Sequence, residues 1–158
     1  MCVCVCDLTL TLKSASTPSE LITAGITCKP PHPKLLKTAM QSINYVKHRH
    51  FDSILQCVVA LKREGYTIAV METTSKSQHY RHVQYPPKTA LICGNELTGV
   101  DTRVIDMADL LVEIPTYGVK NSLNVAAAVP VVLFAMVEQM RAGGAGGAGG
   151  AGGAGGAG

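Results

Sequence analysis

Tryptophan is absent from the 158 residues and phenylalanine occurs only twice, so large rings cannot build the interior and aliphatic side chains must fill it. Glycine is also scarce where it matters. Eleven of the sixteen glycines fall in the Gly/Ala repeat at residues 143–158, leaving Gly25, Gly65, Gly94, Gly99 and Gly118 to mark backbone needs in the rest. Outside the Gly/Ala repeat neither G-x-G-x-x-G nor G-x-x-x-x-G-K-[ST] occurs, which argues against the usual dinucleotide and triphosphate loops. No apolar run reaches the roughly 18–20 residues of a membrane span, because the stretch 125–137 is interrupted by Pro130. The first residues lack a basic region followed by a long apolar stretch, so no secretory signal is expected.

The six cysteines do not form the pairs of a metal or disulfide framework. Cys28, Cys57 and Cys93 stand singly in apolar segments, and Cys2, Cys4 and Cys6 alternate as on one strand face. A reduced, intracellular protein follows, cytoplasmic with an organelle as the alternative, and no metal site is expected. What remains is one domain's worth of chain, about 142 residues before the repeat. Net charge is +3, but residues 27–89 hold ten Lys and Arg against three acids, whereas residues 90–142 sum to −3. A basic middle suggests a surface that faces a polyanion.

Strand and helix patterns alternate as in an α/β sheet. Residues 19–24 predict a short strand stopped by Gly25, and residues 34–43 a helix with Leu35, Leu36, Ala39, Met40 and Ile43 on one face. Asp52 or Ser53 can cap a helix running to about Glu64, with Gly65 as its left-handed stop and Ile54, Leu55, Val58, Val59 and Leu61 as its buried face. Residues 66–71, 90–93 and 110–114 are short, nearly all apolar strands suited to a sheet covered on both faces. The last helix is expected at about 123–140, capped by Ser122 and kinked at Pro130.

Two breaks after strands carry the chemical information. In the first, Ile92-Cys93 runs into Gly94-Asn95-Glu96-Leu97-Thr98-Gly99; in the second, Ile114-Pro115 leads through Gly118 to Ser122-Leu123-Asn124-Val125. Ligands of open α/β sheets settle beyond the carboxyl ends of strands, where backbone N–H groups are free. Two such loops from neighbouring strands would form one pocket. On composition alone, a plain strand-to-helix turn with Asp101 as a cap remains open for the first, and simple helix capping for the second.

Together the segments resemble the signature of the SpoU group of SPOUT RNA methyltransferases: an apolar strand followed by Gly-Asn-Glu, then Ile-Pro followed by Ser-Leu-Asn-Val. The similarity extends upstream through Gly25-Ile26-Thr27, Pro30-Pro31-His32 and Lys37-Thr38-Ala39. The resemblance implies a Rossmann-like parallel sheet flanked by helices, with a deep C-terminal trefoil knot, over residues 19–142. Residues 1–18 stand apart as an atypical segment and residues 143–158 as a low-complexity tail.

It further implies S-adenosylmethionine as cofactor, held by Met71, Glu72, Ile92, Gly94, Asn95, Ile114, Pro115, Gly118, Ser122, Leu123, Asn124 and Val125. Glu96, Ser122 and Asn124 would face the reaction centre. The reaction would be methyl transfer to a ribose 2′-hydroxyl of tRNA or rRNA by a homodimer that needs no metal and no membrane. The family's Asn and Arg motif near the first strand has no counterpart before Ser19, so an impaired RNA-binding or assembly protein of the same fold is the alternative. Independently of the resemblance, Lys47, Arg49 and Arg81, with His48, His50, His79 and His82, could contact phosphates, and Tyr45, Tyr80 and Tyr85 could stack on bases.

Overall fold

The computed structural model describes residues 8–12, 18–26, 46–95, 98–118 and 123–145. Its elements are β1 (Leu8–Leu12), β2 (Pro18–Ala24), β3 (Lys47–Phe51), α1 (Ile54–Arg63), β4 (Thr67–Met71), β5 (Gln78–His79), β6 (Thr89–Cys93), α2 (Thr102–Asp106), β7 (Leu110–Glu113) and α3 (Val125–Ala145). The strands form one sheet in the order β3-β2-β1-β6-β4-β7-β5.

The sheet is mixed rather than wholly parallel. β1 pairs antiparallel with both β2 and β6, whereas the other pairings are parallel. The Leu-Thr alternation at residues 8–12, part of the segment expected to stand apart, therefore lies inside the sheet, antiparallel to β2. A second correction concerns neighbours. β6 and β7 are not adjacent, because β4 lies between them and pairs with both.

Alternation along β4 and β6 divides the interior in two, as the two-residue period of a strand requires. Ile68, Val70, Ala90 and Ile92 point to the side of α1 and join Ile22, Ile54, Cys57, Val58, Leu61 and Val104; Ala69, Leu91 and Cys93 point to the side of α3. Each fully buried Leu, Ile or Val contributes roughly 1.5–3 kcal/mol. This is the three-layer α/β/α arrangement expected from strands that are apolar on both faces.

The α1 boundaries follow their caps. Ser53 accepts from the Leu55 amide, and Gly65 takes the left-handed conformation, with φ 79°. Val59, expected in the core, is exposed, and Cys57 takes its place. The expected helix at residues 34–43 lies outside the described residues.

α3 starts later than expected and is capped by Asn124, whose side chain accepts from the Ala126 amide at 2.8 Å while its carbonyl accepts from Ala127 and Ala128. It runs three residues into the Gly/Ala repeat and continues through Pro130. Pro130 and Ala126 both lie on the exposed face, so the carbonyl deprived of its donor meets water and the loss is small there. The core stripe is Val125, Val129, Val132, Met136 and Met140, spaced at three and four residues. Contrary to the sequence expectation, Val125–Gly143 is long and apolar enough to cross a membrane. In this fold about a third of that span is buried, with the core stripe packed against the sheet.

Candidate functional site

The parallel strands β6, β4 and β7 end on the same side of the sheet, and the loops after them converge. Glu72, immediately after β4, joins the other two. Its amide donates to the Val112 carbonyl of β7 at 3.1 Å, and its carboxylate accepts from the Val100 amide, in the loop after β6, at 3.0 Å. The other carboxylate oxygen accepts from Thr73 at 3.2 Å. The two breaks read from sequence thus belong to one end of the sheet, with a third strand supplying the connection.

The loop after β6 folds on itself. Asn95 and Gly99 exchange backbone hydrogen bonds at 3.2 and 2.8 Å, and Gly99 has φ 67°. A Cβ on Gly94 would lie 2.3 Å from the Gly99 carbonyl carbon and 2.4 Å from the Val100 nitrogen. No side chain fits there, which gives the Gly-Asn pair a steric reason. Asp101 then caps α2, accepting from the Arg103 amide at 2.9 Å; the Arg103 guanidinium beside it also holds its carboxyl below the ordinary range.

The loop after β4 is held by hydroxyls. Ser77 Oγ donates to the Glu72 carbonyl at 2.7 Å, the Thr74 amide donates to Ser77 Oγ at 3.1 Å, and the Ser77 amide closes the turn on the Thr74 carbonyl. Between this loop and the one after β7 lies an open cleft of about 260 Å³ lined by Thr73, Glu113, Ile114, Pro115 and Thr116. Thr73, Glu113 and Thr116 were not singled out by sequence reasoning. Their signal was position: each adjoins a strand end or the Ile114-Pro115 pair.

The expected site residues separate into groups. Ile114 and Pro115 line the cleft, and Met71, Glu72, Gly94 and Asn95 stand at the strand ends beside it. Ile92 does not belong with them: it has no exposed surface and packs in the core on the α1 side. Asn124 serves as the α3 cap, Val125 begins the α3 core stripe, and Leu123 and Gly118 are exposed. Glu96 and Ser122 lie outside the described residues. Cys93, next to Gly94, is buried, and burial pushes its thiol up to about 12, which removes it as a nucleophile at neutral pH.

The basic residues do not form one surface. Lys47 and Arg49 are on β3 and Arg81 follows β5, and these strands are the opposite edges of the sheet. Six strand spacings put them roughly 29 Å apart. Arg49 is committed to the fold: its guanidinium donates to Glu64 at 2.6 Å and Glu20 at 2.9 Å. The Glu64 hydrogen bond is the largest influence keeping Arg49 charged, with burial opposing and Glu20 adding to it. Arg49 is therefore withdrawn as a phosphate contact. Tyr85 is withdrawn as a stacking ring because it is buried, with its hydroxyl donating to the Tyr80 carbonyl at 2.7 Å. Tyr45 lies outside the described residues. Among the described residues no group of three or more His, Cys, Asp or Glu is placed to hold a metal.

A sheet of mainly parallel strands flanked by helices, with a loop-built cleft at the carboxyl ends of the parallel strands, places the chain in the α/β class. The SpoU rRNA Methylase family model matches residues 13–134, and the chain belongs to that family. A tRNA (guanosine(18)-2′-O)-methyltransferase from Aquifex aeolicus is 33% identical over 93 residues, covering 59% of this chain and 44% of that protein. The chain thus spans less than half the length of this curated relative. The AdoMet-bound rRNA methyltransferase from Sinorhizobium meliloti superposes with a TM-score of 0.70 at 22% identity, over 78% of this chain and 47% of that one. The SpoU methyltransferase AviRb from Streptomyces viridochromogenes, in complex with the cofactor AdoMet, gives 0.65 at 25% identity, over 78% and 50%.

Proposed function

We propose that this chain binds S-adenosylmethionine at the carboxyl ends of β4, β6 and β7 and transfers its methyl group to a ribose 2′-hydroxyl of tRNA or rRNA. The observation that carries this reading is Glu72, at the end of β4, tying strand β7 to the loop after β6, with a cleft between the loops after β4 and β7, in a chain of the SpoU family.

The residues fit such a ligand. Ile114 and Pro115 offer an apolar wall, Thr73 and Thr116 offer hydroxyls, and Glu113 places a carboxylate in the cleft. The tight packing at Gly94 keeps the loop after β6 closed. When bound, the cofactor supplies an electrophilic methyl on a positively charged sulfur. Met71, Glu72, Gly94, Asn95, Ile114, Pro115, Gly118, Leu123 and Val125 are proposed to hold it. Glu113 would add a negative charge to the cleft that receives the cofactor, and fixed loops would shorten the search for the in-line geometry that methyl transfer needs. Glu96, Ser122 and Asn124 are proposed to order the loops around the reaction centre.

The finer architecture belongs to the same proposal: a methyltransferase domain at 19–142 whose sheet also takes in β1 from the atypical start, followed by a low-complexity tail, with a trefoil knot at the C-terminal end, and a homodimer working without a metal inside the cell. Ala127, Val131 and Phe134 give α3 an exposed apolar face suited to the pairing of two subunits.

Methyl transfer from radiolabelled S-adenosylmethionine to bulk tRNA and rRNA tests the activity. Label in nuclease-sensitive, alkali-resistant dinucleotides is the expected result, since 2′-O-methylation blocks cleavage at that position. Saturating cofactor binding with no label in either RNA would refute the reaction. Asn124→Ser, which keeps a capping oxygen, and Asn124→Ala separate the cap from the chemistry: loss of transfer in both at unchanged stability of the Ser variant assigns Asn124 to the reaction centre.

A further inference from the structure

Beyond the cleft, the sheet ends in β5, where four residues, His79 to His82, are folded into a ring stack. The His82 amide donates to the His79 carbonyl at 2.8 Å, closing a turn that brings the two imidazoles together. Their ring centroids are 4.6 Å apart with planes inclined by 24°, and the His79 ring also stacks on Tyr80 at 4.9 Å and 15°. The Arg81 amide donates to His79 Nδ1 at 3.1 Å, which fixes the His79 ring in place. The Arg81 guanidinium lies 6.0 Å from the Tyr80 ring centre.

This stack is anchored from behind. Tyr80 packs against the core on the α3 side and its amide donates to the Glu113 carbonyl at 3.0 Å. Behind it, Gln139 of α3 accepts from the Tyr85 amide at 2.7 Å and donates to the Val83 carbonyl at 2.9 Å. His82 and Arg81 remain exposed, as does Lys76 in the preceding loop. A rigid ring stack with an exposed imidazole at its end costs little ordering entropy when another flat ring joins it. His79 faces Glu113 in the strand register, and Glu113 lines the cleft, so the stack stands one strand away from the proposed methyl-transfer site.

We propose that His79, Tyr80 and His82 form a ledge on which an unpaired nucleobase of the RNA stacks, with Arg81 and Lys76 facing the flanking phosphates, so that the neighbouring ribose is presented to the cleft. The proposal rests on the RNA-methylation reading and deepens it: the substrate segment is single-stranded where it meets the enzyme. Stacking on such rings is tolerant of base identity, whereas Arg and Lys supply the salt-dependent part. Lys47, at the opposite edge of the sheet, is not part of this surface.

The test uses the full chain and two probes, a single-stranded RNA hexanucleotide carrying one 2-aminopurine and the same sequence in a duplex. Binding of the single strand is expected to quench the 2-aminopurine. His82→Ala should abolish the quenching and weaken binding about tenfold, His82→Trp should restore both, and Arg81→Gln should flatten the salt dependence while leaving the quenching of bound RNA in place. The ledge is overturned if the wild-type protein does not bind the single strand, if it binds without quenching, if the duplex binds as tightly, or if His82→Ala matches the wild type. Methyl-transfer assays on the same proteins keep the two claims apart. Quenching that depends on His82 in a protein without transfer supports the ledge and refutes the reaction; transfer with a KM for RNA unchanged in His82→Ala supports the reaction and refutes the ledge.

Discussion

Glu72 connects more of the site than any other described side chain, because each of its carboxylate oxygens accepts from a different backbone amide and its own amide reaches β7. Glu72→Gln keeps the size but can accept at only one oxygen, leaving the other amide facing an NH2 group. A loss of about 1–2 kcal/mol is expected, read by urea denaturation, together with weaker cofactor binding. Gly94→Ala should be worse. Its methyl would sit within 2.5 Å of the Gly99 and Val100 backbone, which cannot yield as a flexible side-chain end can, so a loss of roughly 1–3 kcal/mol and at least tenfold in cofactor affinity is expected. Glu113→Gln tests charge rather than shape. It should weaken binding of the positively charged S-adenosylmethionine several-fold while leaving the neutral S-adenosylhomocysteine nearly unaffected; equal losses for both would remove the electrostatic role.

Asp109 shows how a single carboxylate fixes the sheet. It accepts from the Ile68 amide at 2.8 Å and pairs with Lys62 of α1 at 2.6 Å. Burial pushes its carboxyl up, but the Lys62 ammonium and the Ile68 amide outweigh that and hold it below the ordinary range. A carboxylate with a lowered folded-state pKa contributes stability that is present above its unfolded value, about 3.9, and is lost as pH falls through the folded one. The stability gap between wild type and Asp109→Asn should therefore be constant from about pH 5 to 7 and shrink below about pH 4. A gap that widens on acidification would contradict the assignment.

At the level of strands and helices, Gln139 is the clearest long-range tie, since from α3 it satisfies two backbone groups of the β5–β6 connection, the Tyr85 amide and the Val83 carbonyl. Gln139→Ala leaves the buried Tyr85 amide and the Val83 carbonyl without that partner. A loss of about 1–3 kcal/mol is expected, with faster hydrogen exchange at Tyr85 and unchanged exchange in α1. The elements most legible in the sequence were those whose local signals agree with their burial. β2, β4, β6 and β7 are short apolar runs with glycine or polar stops, and α1 carries both a serine cap and a glycine stop.

β3 was hidden because an edge strand carries charge on purpose: Lys47-His48-Arg49-His50 reads as a polyanion surface, yet Arg49 is spent on Glu20 and Glu64. β1 was hidden because its leucine and threonine alternation suits an edge as well as an interior position. The order of strands is not a local property at all. Hence β4 between β6 and β7 escaped the sequence, and with it the linking role of Glu72, although the two loops themselves were recognised.

For the molecule as a whole, the two layers of helix on one sheet leave the end where β4, β6 and β7 stop as the place of the proposed chemistry. The opposite edge, with Arg49 bound to its carboxylates, is structural. If α3 also joins two copies, Phe134→Glu should convert dimers to monomers in light scattering without loss of helix content, because Phe134 is 70% exposed in the single chain; a dimer that persists would place the interface elsewhere. The cleft claim is tested most directly by isothermal titration of the full chain with S-adenosylmethionine. Saturable heat at about one ligand per chain, abolished in Gly94→Ala and accompanied by a higher melting temperature of the wild type, is the expected result. No heat and no thermal shift at millimolar ligand would contradict it.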